Sequence, residues 1–214
     1  MLQASTLKRR LKALIVEFER ARKTWFELGD DGLTLANSLI NLRLQERYHK
    51  LSSKVEFPAC CSSVLDDSLD SKEKWDENFE NLGEIISNLS QSLHQILEKM
   101  ASQYTKMKIQ IVQVEFLLEE ACESLGEEFV YNIPLYSTCT LETFVHHFVG
   151  IFNMFTREID LKNKIFLSIQ NVNHEQAMVL LSTWLNQPYI NNDRIREFER
   201  ICELELEFDE KITT

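Results

Sequence analysis

Helix-breaking residues are scarce in this sequence: glycine occurs 5 times and proline 3 times in 214 residues. Glycine costs backbone entropy and proline removes an N–H, so both interrupt helices. Their rarity, set against abundant Leu, Glu and Lys, excludes turn-rich β architectures and predicts an all-α protein. Long apolar runs are missing too, and none approaches the roughly 18 residues that a spanning helix needs. The N-terminus has no secretory pattern, because the basic cluster Lys8, Arg9, Arg10 and Lys12 leads into an amphipathic segment rather than an apolar plug. Cys60, Cys61, Cys122, Cys139 and Cys202 are odd in number and lack framework spacing, so they read as reduced thiols. A soluble, intracellular chain is expected.

Several chemistries lack their residues. A phosphate-cradling loop needs clustered glycines, but Gly29 and Gly32 have no following lysine, and Gly83, Gly126 and Gly150 stand alone. Structural zinc needs paired ligands at short spacing, and Cys60-Cys61 has no complementary pair. His146 and His147 are adjacent on one expected helix, so they point apart: one at the core edge, one exposed. No nucleophile elbow or cysteine-enzyme signature is present, and carboxylate pairs such as Glu127-Glu128 read as solvated surface. The expectation is a non-enzyme with no cofactor and no metal.

Charge of one sign is unevenly placed. The net charge is −11, yet residues 1–54 carry 11 Lys/Arg against 6 Asp/Glu, whereas residues 55–214 carry 12 against 28. An acidic body disfavours nucleic acid as a direct ligand, since duplex binding draws on neutralised phosphates. The basic end suits an acidic partner, an import patch or a solvated helix face.

What is present is a long apolar seam. It runs Trp75, Phe79, Leu82, Ile86, Leu89, Leu93, Ile96, Met100, Tyr104, Met107, Ile111, Val114, Leu118, Cys122, Leu125 at steps of three and four. Successive fours at 96–100–104 and 114–118–122 are stutters. Such a helix needs packing partners along its length, and Ile86, Leu89 and Leu93 are the candidates for meeting another protein.

Around the seam the reading gives an N-terminal helical hairpin over 1–54, a flexible linker over 55–71, the coiled-coil-like helix over 72–125, a loop over 126–140 and a C-terminal helical region over 141–214. The hairpin combines a helix from Ser5 to Leu28, a stop at Gly29-Asp30-Asp31-Gly32, and a helix from Leu33 to Lys50. Pro58 and Cys60-Cys61 mark the linker, and Asp70 with Glu73 can cap the long helix. Thr140 caps a helix with core face Leu141, Val145, Phe148, Phe152, Phe155, Ile159, Phe166 and Ile169. Asn173 with Gln176 caps the next, ended by Pro188, and a short helix covers 193–206. The expected architecture is an elongated bundle in which the C-terminal helices pack back.

Two linear signals bear on kinases. Arg9-Arg10-Leu11 resembles the basic-x-leucine peptides that cyclins dock, although Leu11 also belongs to a core stripe. No Ser-Pro or Thr-Pro exists, so a proline-directed kinase would dock on this chain rather than modify its preferred sites.

Two segments are unusual for plain helix: Trp25 to Leu42, WFELGDDGLTLANSLINL, and Leu181 to Tyr189, LSTWLNQPY. Together they resemble the cyclin-dependent kinase 2-interacting protein family. Trp25, Leu28, Asp30, Gly32, Thr34, Ala36, Asn37, Asn41 and Leu42 match its first pattern; Leu181, Ser182, Trp184, Leu185, Gln187, Pro188, Tyr189 and Asp193 match its second. Pro134-Leu135, Thr138, Phe144, Met154, Glu158, Leu161 and Lys162 fall into register between them. Cys139 departs from the aromatic residue expected there, and the linker and N-terminal tip differ. The resemblance implies a nuclear, non-enzymatic adaptor associated with cell-cycle and replication kinases and the damage checkpoint. It also implies a subunit role, with a second small helical protein, in a hexameric AAA+ ATPase complex serving 60S ribosome maturation and replisome turnover. Trp25, Gly32, Ala36, Asn37, Asn41, Trp184 and Pro188 would be structural motif residues. At the corner that Pro188 makes, Trp184 is expected to plug the packing and Tyr189, nearer the turn, to contact a partner. The alternative is a generic coiled-coil subunit of a tethering or segregation complex.

Overall fold

The computed structural model describes residues 3–52 and 69–213, with side chains described over 3–51 and 81–206. It is all-α, in the order α1 (Ala4–Ser52), α2 (Leu69–Leu125), α3 (Glu127–Asn132), α4 (Leu141–Ile169), α5 (His174–Asn186) and α6 (Asn192–Thr213). Most of the expected linker, with Pro58 and Cys60-Cys61, lies outside the described residues, as do the side chains of Asp70, Glu73, Trp75 and Phe79.

The expected N-terminal hairpin is not formed. α1 runs unbroken for 49 residues through Gly29-Asp30-Asp31-Gly32. A glycine inside a helix costs only about 1 kcal/mol, and no proline enforces a turn. The apolar stripe also continues across the glycines, because Gly29 and Gly32 fall on the buried side with Trp25, Ala36, Leu39 and Ile40, while Asp30 and Asp31 face out. Thr34 and Ser38, poor helix formers, turn their hydroxyls onto the carbonyls of Asp30 (3.3 Å) and Thr34 (3.0 Å) within the same helix.

The helix ends are otherwise where their capping residues lie. Gly126, at φ 91°, ends α2, and Thr140 Oγ1 accepts the N–H of Thr143 (3.3 Å) at the start of α4. Asn173 Oδ1 accepts Gln176 N–H (2.8 Å) while Gln176 Oε1 accepts Asn173 N–H (3.2 Å), a reciprocal capping box. Asn191 Oδ1 accepts from both Asp193 and Arg194, and α6 extends past the expected end to Thr213. The one-and-a-half-turn α3 lies inside the stretch expected to be loop.

The chain divides into two compact units. Of the described residues, unit 1 takes α1 up to Leu28, 99–125 of α2, α3, 141–161 of α4 and 187–213. Its core is aromatic: Phe18 meets Phe148 edge-on (4.9 Å), Trp25 meets Phe155 edge-on (5.3 Å), and Tyr104 stacks on Phe152 (5.1 Å). Buried Arg22 on α1 pairs with Glu199 on α6. Glu205 on α6 accepts from the backbone N–H groups of Ser137 (2.7 Å) and Thr138 (3.1 Å) and from the Thr138 hydroxyl. That single carboxylate holds the irregular segment before α4. Within unit 1 the buried set of α2 passes from Met107, Ile111 and Val114 to Leu117 and Ala121, while Leu118 and Cys122 are half-buried. At the second stutter the inward face therefore steps back one residue, as a 3.6-residue turn requires.

Unit 2 takes 29–98, including the rest of α1 and the first part of α2, with 162–186 from α4 and α5. Ala36, Leu39 and Ile40 of α1, Ile86, Leu93, Ile96 and Leu97 of α2, Ile165 and Ile169 of α4, Val172 before α5, and Ala177 and Trp184 of α5 are its buried apolar residues among those described. His94 stacks on Phe166 (5.7 Å) at its edge.

Candidate functional site

The two segments that stood out in the sequence come together in unit 2, around Trp184. Its side chain is 1% exposed, and its indole Nε1–H donates to the Gly29 carbonyl of α1 (2.9 Å). The ring lies directly on Gly32. A methyl group at position 32 would stand 2.6 Å from Trp184 Cζ2 and 3.3 Å from Ile96 Cγ2. Gly32 is therefore a packing glycine rather than a turn glycine: it lets the indole press onto the backbone of α1.

Lys162 closes the other side. It is fully buried, with Nζ donating to the Trp184 carbonyl (2.7 Å) and standing 4.5 Å from the indole centroid. The last carbonyls of a helix have no partner within it and carry its negative dipole end. An ammonium placed there caps α5 and faces a π-system at the same time. The sequence reading placed Lys162 in register but gave it no role, although a signal was available: it sits between Ile159 and Phe166 on the apolar stripe of α4, where a charge has to find partners.

Unit 1 contains the turn that follows. Gln187 is the only non-glycine residue with positive φ among the described residues, at 43°, and its carbonyl accepts the N–H of Ile190 (2.8 Å). Glu158, also fully buried, accepts the Tyr189 N–H (3.3 Å), and Met154 Sδ lies 3.2 Å from Asn191 N. Tyr189 itself is 46% exposed, and Pro188 is exposed.

The remaining candidates divide by burial. Trp25 is fully buried on Phe155, and Ala36 is buried, whereas Asn37 and Asn41 are exposed on the outer side of α1. Ile86 and Leu93 are buried core positions of unit 2 and Leu89 is half-buried. Leu11 is fully buried, which takes the leucine of the cyclin-docking signal off the surface, and Arg10, part-exposed, pairs with Glu120 (2.6 Å). His147 stacks on Phe198 (5.7 Å), and His146 is exposed.

Cys122, Cys139 and Cys202 are free thiols, and burial pushes the Cys139 and Cys202 thiols up, away from the reactive thiolate. Among the described residues no three His, Cys, Asp or Glu side chains converge on a metal position, and no helix is long and apolar enough to cross a membrane. Several of the singled-out residues instead hold connections: Trp184 on Gly32, Lys162 on the end of α5, Glu158 on the turn at Tyr189, and Thr138 on Glu205.

No family model matches the chain. It is 24% identical over 187 residues to the cyclin-dependent kinase 2-interacting protein of Bos taurus, covering 85% of this chain and 81% of the bovine protein. Against the cyclin-dependent kinase 2-interacting protein of Homo sapiens it is 24% identical over 190 residues, covering 86% of this chain and 82% of the human protein.

Proposed function

We propose that this chain is a non-catalytic helical adaptor of the cell-cycle machinery that works by binding other proteins, a cyclin-dependent kinase among them. The observation that carries the reading is the likeness to two kinase-interacting proteins along 85% and 86% of the chain. The buried contacts of Trp184, Gly32 and Lys162 support it, because they account for the unusual segments as scaffold and call for no substrate. In the finer form of the proposal the chain resides in the nucleus and joins a second small helical protein in a hexameric AAA+ ATPase complex. There it serves 60S ribosome maturation and replisome turnover, with checkpoint kinases as further partners. Tyr189, exposed at the turn after α5, is the proposed contact residue.

Affinity purification of the tagged full chain from cells, followed by mass spectrometry, tests this. Recovery of a cyclin-dependent kinase and AAA+ subunits is expected. Recovery of tethering or segregation components alone would favour the generic coiled-coil reading. The purified chain should neither bind nor hydrolyse ATP, since it lacks a phosphate-binding loop. Specific nucleotide binding would overturn the non-catalytic assignment.

A further inference from the structure

Within unit 1 the seam positions Met107, Ile111 and Val114 of α2 are buried, but the same helix carries a second seam on its exposed side. Ser102, Thr105, Ile109, Val112, Phe116 and Glu119 follow one another at alternating steps of three and four, and all six are exposed. Ile109, Val112 and Phe116 are 49%, 56% and 59% exposed. Exposed apolar side chains scattered singly need no explanation, whereas three in a row at coiled-coil spacing form a stripe able to accept another helix.

The charges beside the stripe say which helix fits. Lys108 flanks it on the N-terminal side of Val112, and Glu115 flanks the same edge on the C-terminal side; along the other edge Lys99 comes first and Glu120 later. Let two copies of the helix pair antiparallel, with Ile109 of each facing Val112 of the other and Thr105 facing Phe116. Lys108 then lies beside Glu115 of the second copy, twice by symmetry, and this pair carries the charge match; Lys99 comes beside Glu120, which Arg10 already holds within each chain (2.6 Å). A parallel pair would instead set Lys108 beside Gln113 and Glu115 beside Glu120 of the second copy, so that neither flanking charge meets an opposite one. The sequence of charges is complementary to itself in reverse, which is the property an isologous interface needs.

We propose that this face of α2 docks a second copy of the chain as an antiparallel helix pair centred between Ile109 and Val112. The apolar stripe is short and each copy carries a net charge of −11, so the association is weak and concentration-dependent.

Sedimentation velocity of the purified full chain, from about 1 to several hundred micromolar, reads it directly. The expected result is a reversible monomer–dimer equilibrium that weakens about tenfold or more in Phe116→Glu. Because charged flanking positions on an exposed face leave the fold intact, Lys108→Glu and Glu115→Lys provide the second arm. Each alone should weaken the dimer, and the two together in one chain should restore it. A chain that stays monomeric throughout the range overturns the proposal. So does a dimer indifferent to Phe116→Glu, or a double charge reversal that fails to rescue. Capture of a different protein through this face, with the chain alone monomeric, would assign the surface to that protein and refute the second copy as its occupant.

Discussion

Gly32 and Gly83 are both helical, yet alanine should act on them in opposite directions. At Gly83 an added methyl meets nothing within 4 Å, so the gain in helix propensity is unopposed. Gly83→Ala should stabilise by about 0.5–1 kcal/mol. At Gly32 the methyl would strike the Trp184 indole and crowd Ile96. Overpacking of this kind costs about 1–3 kcal/mol, so Gly32→Ala should lower the thermal midpoint while Gly83→Ala raises it. Two melting curves against the parent chain decide the matter. Gln187 offers a second contrast. It holds a left-handed backbone, and its buried Oε1 has no hydrogen-bond partner among the described residues. Gln187→Gly removes both penalties and should stabilise by about 1 kcal/mol, measured by urea unfolding.

At the scale of elements, α2 has two faces with different fates. Leu93 is fully buried and Leu89 half-buried in unit 2, one helical turn apart. An unpaired carboxylate at Leu93 has no route to water, so Leu93→Asp should cost several kcal/mol, whereas at Leu89 the charge can lean outward at smaller cost. Comparable losses from both substitutions in denaturant titrations would mean that the half-burial of Leu89 is not what governs its packing. Much of this was legible: Ile86, Leu93, Ile96, Met100, Met107, Ile111 and Val114 are buried as their spacing required. The capping residues Thr140 and Asn173 also mark their helix starts. The continuity of α1 was not legible, because glycine signals a helix end and a close packing surface with the same letter. Only Trp184, 152 positions further along the chain, distinguishes the two uses at Gly32.

For the molecule as a whole, acid is the condition that loosens the packing of unit 1. Burial against Phe198 holds the His147 imidazole below its ordinary range, a shift that Glu197 partly opposes. The unfolded chain therefore takes up a proton there before the folded one does, and stability falls as the pH drops below about 6.5. Glu205 adds a second step. Burial raises its carboxyl pKa, but the Thr138 hydroxyl and the N–H groups of Ser137, Thr138 and Cys139 outweigh burial and hold it below the ordinary value. Its contribution is complete above the usual carboxylate range near ~4.3 and is lost as the pH falls through the depressed folded value. Unfolding midpoints measured from neutral to acid should decline in these two stages. His147→Phe should flatten the first, and Glu205→Gln should shrink the second at the cost of lower stability at neutral pH. The Glu46 carboxyl, held low by Lys50 and Arg43, also contributes to that second stage. An unchanged profile in either variant would remove that residue from the account.

Sequence alone determined the class of this protein, because class depends on quantities that accumulate locally: few breakers, apolar residues at helical period, and capping side chains within four positions of the backbone they serve. It also determined that α2 is long, since nothing between Leu69 and Leu125 interrupts it. Tertiary structure decided how the special residues are spent. Gly29 and Gly32 receive an indole instead of making a turn, Lys162 and Glu158 are buried charges that hold the end of α5 and the turn at Tyr189, and Ile86 and Leu93 are buried. Each of these outcomes depends on a partner tens of residues away or more, or on the burial that such packing creates. A one-dimensional pattern records which face a residue shares with its neighbours, but not what the fold brings to that face.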